Sequence, residues 1–156
     1  MADNNDDMQM HAQAQPNPDL KQLDWLVGTW TVSDPSGANA ISGKVTYEWL
    51  PGGYFLKATH ELEQYGQKIQ ATEIIGHLQA FGEEPQKAIK SRNYDNMGNS
   101  LDFEYEVDGN TMTIWGGEKG SPAYFKGERS EDGDTQTGGW VYPGGGGYKS
   151  SMTRVK

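Results

Sequence analysis

His60 and Glu73 are the residues whose types and spacing best suit chemistry. They sit at same-parity positions on two alternating runs, 56–63 and 69–77, joined by a Tyr65-Gly66 turn. Such a turn makes the runs hairpin partners. If the shared face points inward, the imidazole and the carboxylate approach each other in a cavity. A carboxylate beside an imidazole orients one ring nitrogen, and the pair could then act as general acid and base, in isomerase or cyclase chemistry. His77 has the same parity, so His60, His77 and Glu73 could also form the two-histidine, one-carboxylate set of non-haem iron proteins. The plainer alternative is that these groups hydrogen-bond a ligand or water, or face solvent. Right residue types without a third orienting group leave catalysis open, and no metal or cofactor is expected.

A second set of residues suits binding. The chain has five Trp, eight Tyr and four Phe but few Leu and Ile. Tyr47, Trp49, Phe103, Tyr105, Trp115 and Trp140 could line a cavity of mixed apolar and hydrogen-bonding character, with His60, Arg129 or tyrosine hydroxyls fixing orientation and His77 as a further binding residue. Arg129 shares a face with Phe125 and Gly127, and an inward guanidinium could clamp a ligand carboxylate. Against this, large rings can simply fill the interior of a structural or protein-interaction barrel, and Arg129 or Arg92 could make surface ion pairs with Glu104, Glu106 or Glu128. The expected partner is a small apolar or aromatic molecule.

Much other chemistry is excluded. The chain has no cysteine, hence no disulfide, zinc-thiolate site, iron–sulfur site or cysteine nucleophile. There is no Gly-x-Ser-x-Gly elbow, no Gly-x-Gly-x-x-Gly between a strand and a helix, and no P-loop. Gly144 to Gly147 lies between Pro143 and Tyr148 and reads as a hairpin loop. A net charge of −9 argues against nucleic acid as a partner. No apolar run approaches the ~18 residues of a membrane span.

The elements that must position these residues follow from periodicity. Residues 1–17 are polar and aperiodic and read as a disordered tail. Met8, Met10 and His11 there could bind a soft metal, against the simpler reading of a solvated tail. The tail has no basic or apolar leader segment, which with zero cysteine gives a cytoplasmic expectation. Leu20, Leu23, Leu26 and Val27 recur at helical spacing, with Asn17 as cap and Pro18 at the first position, so one short helix should end before Gly28. Beyond Gly28 the period becomes two. Leu101, Phe103, Tyr105 and Val107 alternate with Asp102, Glu104 and Glu106, the clearest case. Turns at Pro51-Gly52-Gly53, Tyr65-Gly66, Met97-Gly98-Asn99, Asp108-Gly109 and Asp132-Gly133 divide the runs. About ten short strands with no βαβ pattern predict an all-β fold. We expect a single antiparallel barrel over 18–156, with the short N-terminal helix closing one end. Oligomeric state is left open.

Gly28-x-Trp30 at the first strand and Arg154 near the last resemble the signature of the calycins, the superfamily of lipocalins and fatty-acid-binding proteins. In a closed barrel these strands are neighbours, so Arg154 should lie over the Trp30 ring. Glu48 ahead of the Gly52-Gly53 turn, the Tyr94-Asp95-x-x-Gly98 turn, and Asp132-Gly133 ahead of Trp140 resemble a bacterial lipocalin-like family of unknown function. The resemblance spans roughly residues 20–155. It implies a barrel with an interior binding site and is nearly silent on chemistry. Stretch 34–42 is too short for the two-helix lid of fatty-acid-binding proteins. The lack of any histidine after His77 disfavours a late axial haem ligand.

Overall fold

The alternating runs beyond Gly28 become ten strands in the structure, a computed structural model in which residues 15–156 are described. They are β1 (Gly28–Ser33), β2 (Ile41–Trp49), β3 (Phe55–Gln64), β4 (Gln67–Gly76) and β5 (Ile89–Asp95). Then come β6 (Ser100–Asp108), β7 (Thr111–Gly116), β8 (Tyr124–Arg129), β9 (Thr135–Val141) and β10 (Tyr148–Arg154). Each pairs antiparallel with its sequence neighbours, and β1 pairs with β10, so the sheet closes into a barrel without an edge. This architecture is consistent with a calycin fold. No helix among the described residues is long and apolar enough to cross a membrane. Of the expected tail, residues 1–14 and the Met8, Met10, His11 cluster lie outside the described residues.

Parity along the strands divides inside from outside as the sequence suggests. Val45 and Tyr47 of β2, Leu56 and Ala58 of β3, and Ala71, Glu73 and Ile75 of β4 are buried, while Glu61 and Glu63 are exposed. Register follows from the turns: Ala58 faces Glu73 across the β3–β4 ladder, and Glu73 faces Asn93 across β4–β5.

One end of the barrel is plugged by the N-terminal helix, Pro18–Leu26. Its Asn17 side chain accepts from the Asp19 N–H at 3.1 Å, the expected cap. The helix is 3-10 rather than α. Its buried residues, Leu20, Leu23 and Leu26, are three apart, and three residues per turn align them on one face. That face meets Trp30, which is fully buried and donates its Nε1–H to the Leu26 carbonyl at 2.7 Å.

Arg154 locks this end. Its guanidinium lies 4.3 Å above the Trp30 ring, as expected. It also donates to the carbonyls of Val27 (2.6 Å) and Trp25 (2.5 Å) and pairs with Asp134 at 3.0 Å. Gly28 is required beneath it. Its φ of 126° disfavours any side chain, and a Cβ there would lie 2.9 Å from Arg154 Nη1. The Gly-x-Trp spacing thus has a local cause: glycine clears the space that the arginine uses to reach the tryptophan.

Candidate functional site

Away from the helix, the interior opens into a cavity of about 460 Å³. Such volumes are typical of small-molecule sites, roughly 300–1,000 Å³. Val45, Leu62 and Ile69 form one side of its wall, and Phe103, Phe125 and Trp140 form the other. The rings are joined in a chain. Trp140 lies 5.8 Å from both Phe103 and Phe125 and stacks on Tyr142 at 5.8 Å, and Tyr142 leads to Tyr148 and Tyr65 near the mouth.

The floor is polar, and Glu73 is its centre. Its side chain is 7% exposed. Tyr105 on β6 donates its hydroxyl to Oε2 at 2.5 Å, and Ser91 on β5 donates to the same oxygen at 2.6 Å. The remaining oxygen, Oε1, faces His60 Nε2 at 3.4 Å. Burial pushes the Glu73 carboxyl up. The hydrogen bond and charge of His60, with the Ser91 and Tyr105 hydroxyls, more than reverse that, so it sits below its ordinary value of 4.5. Burial, then the negative charge of Glu73, raises the phenols of Tyr47 and Tyr105 above their usual range. The floor is therefore an ionised acceptor ringed by hydroxyl donors. His60, partly open to the cavity, stands where it can exchange a proton with a bound molecule.

The structure brings together six of the residues singled out above: Tyr47, His60, Glu73, Phe103, Tyr105 and Trp140 all line the cavity. Four lie outside it. His77 points inward, but one layer beyond Ile75 at the closed end. There Nδ1 faces the carbonyls of Gln86 (2.8 Å) and Ala88 (3.1 Å), and Nε2 meets Asp19 at 2.7 Å. It ties the helix to the β4–β5 loop, and cannot join His60 and Glu73 around a metal. Trp49 ends β2 beside the helix, its Nε1–H donated to Asp24 at 2.9 Å. Arg129 ends β8 at the same closed end, 5.1 Å from the Trp25 ring centre and bonded to Asn110. Trp115 has the parity of Thr113, opposite to Met112 and Ile114, and packs on Tyr124 outside the barrel at 5.5 Å. Arg92 makes an exposed ion pair with Asp102 at 2.7 Å.

Ser91 is the residue of the polar floor that sequence reasoning missed. The signal was weak: Ile89, Ser91, Asn93 and Asp95 share one face of β5, of which Ile89 and Ser91 are buried, and only Ile89 is apolar. Polar residues on an inward face leave no hydrophobic alternation to see. Among the described residues no group of three or more acidic or histidine side chains is placed to hold a metal ion. A comparison of the chain with protein-family models and with curated proteins finds no match to either.

Proposed function

We propose that this is a bacterial, cytoplasmic, lipocalin-like protein of the calycin superfamily whose barrel binds a small, largely apolar or aromatic molecule. Gly28, Trp30 and Arg154 at the closed end support the kinship. One observation carries the binding reading: a cavity of about 460 Å³, walled by aliphatic and aromatic side chains, has one hydrogen-bonded carboxylate at its floor. Burying an aromatic ligand there gains roughly 25 cal/mol per Å² of apolar surface removed from water, and the floor supplies orientation.

The test is titration with the neutral fluorescent probe N-phenyl-1-naphthylamine. Wild-type protein should bind it saturably. Ala71→Trp, which projects a ring into the cavity beside His60, should weaken binding at least tenfold. Thr72→Trp, on the outer face, should leave it unchanged. Absence of saturable binding to the wild type ends the proposal.

A second reading, acid–base catalysis in the same cavity, is favoured by the 3.4 Å approach of His60 Nε2 to Glu73 Oε1. Native mass spectrometry of protein from its own host would identify a bound molecule to use as substrate. Unchanged turnover in both His60→Ala and Glu73→Ala would eliminate the enzyme.

A further inference from the structure

The polar floor also constrains which group a ligand presents to it. No lysine or arginine lines the cavity among the described residues; its charged or titratable groups include Glu73, Asp95 and His60. Asp95 is occupied by its own turn, accepting from the backbone of Met97 and Asn99 and from the Asn99 amide. The two arginines that point inward, Arg129 and Arg154, are both at the closed end and engaged with Trp25 and Trp30. An anionic ligand head would therefore meet a buried carboxylate with no lysine or arginine to offset the repulsion, and the neighbouring His60 already faces that carboxylate.

The two Glu73 oxygens differ. Oε2 accepts two short bonds, from Tyr105 and Ser91. Among the described residues Oε1 has only the His60 contact at 3.4 Å, longer than the usual 2.7–3.2 Å, roughly, for N–H···O. A group inserted there must donate to Oε1 and can also accept from Nε2. A hydroxyl does both. A carboxylate only accepts, and an ammonium only donates.

We infer that the ligand is an uncharged hydroxylated aromatic of the phenol class. Its hydroxyl bridges Glu73 Oε1 and His60 Nε2, and its ring lies against Phe103 and Trp140. Carboxylate-headed amphiphiles, fatty acids included, are rejected. This inference rests on the binding reading above and adds the head group.

Isothermal titration at pH 7 with four matched probes tests it: naphthalene, 2-naphthol, 2-naphthoate and (2-naphthyl)methylammonium. A hydrogen bond to a buried charged acceptor should make 2-naphthol bind about tenfold or more tighter than naphthalene. 2-Naphthoate should bind at least about tenfold more weakly than naphthalene. Glu73→Gln should shrink the hydroxyl advantage and relieve the rejection of naphthoate. His60→Asn should reduce the hydroxyl advantage but keep the rejection. The wild-type ranking stands even if a variant fails to fold. Naphthoate binding as tightly as naphthol, or the ammonium binding tightest, overturns the inference. Naphthalene binding with no hydroxyl preference overturns it while sparing the binding reading. Failure of all four probes and of N-phenyl-1-naphthylamine overturns both.

Discussion

Removing the Tyr105 hydroxyl should matter most while Glu73 is there to receive it. The bond is short, 2.5 Å, and buried, with Tyr105 6% and Glu73 5% exposed. A hydrogen bond to a charged group contributes about 1.5–3 kcal/mol, so Tyr105→Phe should cost about 2 kcal/mol. In a Glu73→Leu background the Tyr105 hydroxyl has lost this acceptor. Only the neutral contact with Ser91 is left to it, so the cost of deleting it falls toward zero. The double-mutant cycle should therefore give a coupling of about 2 kcal/mol. Urea unfolding followed by circular dichroism measures each corner. Folding lowers the Glu73 pKa below 4.5, so the carboxylate stabilises the fold fully above that value. Its contribution is lost as pH falls through the lower, folded value. The advantage of wild type over Glu73→Leu should accordingly be greatest near neutrality and decline in acid. A coupling below about 0.5 kcal/mol at pH 7, the level of independent sites, would refute the account of the floor as an ionised acceptor.

Two further outcomes are expected. Arg154→Met removes the stacking on Trp30 and the donors to Val27, Trp25 and Asp134; it should cost about 3 kcal/mol. That lowers Tm on the order of 10 °C for a chain of this size, measurable by thermal melts, and Arg154→Lys should recover less than half because it lacks the planar fork. Gly138→Ala places a Cβ 2.2 Å from the Lys126 carbonyl oxygen and 2.6 Å from Gly127 Cα, whereas at Gly146 the nearest atom is 3.9 Å away. The first should lose soluble protein or cost about 3 kcal/mol, the second stay within about 0.5 kcal/mol, and equal melting temperatures would contradict the packing.

The fold was legible where local rules act alone. Asp108-Gly109 marks a hairpin, and Leu101 to Val107 marks a strand, without reference to anything distant. The Trp30–Arg154 contact was legible too, because closing a barrel must bring first and last strands together. Depth along the barrel was not. His60 and His77 share a parity, but only the position of the helix decides that Asp19 meets His77 while His60 is left in the cavity. Arg129 and Trp49 fail for the same reason: each is on an inward-facing series but at the plugged end. Trp115 is a different case. Its neighbours Met112 and Ile114 take the interior, so size and aromaticity outweighed a parity that already pointed outward. Strand β5 hid its inward face because a cavity-lining strand can be polar on both sides.

The closure at Arg154 also bears on how the chain reaches its native state. Every ladder but one joins strands adjacent in sequence, so each needs only a turn or short loop to form. The β1–β10 seam instead pairs Trp30 with Arg154, and beside it Arg154 reaches Val27, 127 residues away. Drawing the ends of so long a loop together costs about 4 kcal/mol of chain entropy beyond a constant, by the logarithmic rule. Pre-formed hairpins shorten the effective loop, so the seam should be the slow, late event and the meander the early one. Until it forms, β1 and β10 are open edges that a second chain could pair with. The cluster around Arg154 is thus more than a lock on the plugged end: it joins the two strands whose separation would leave the protein prone to aggregate.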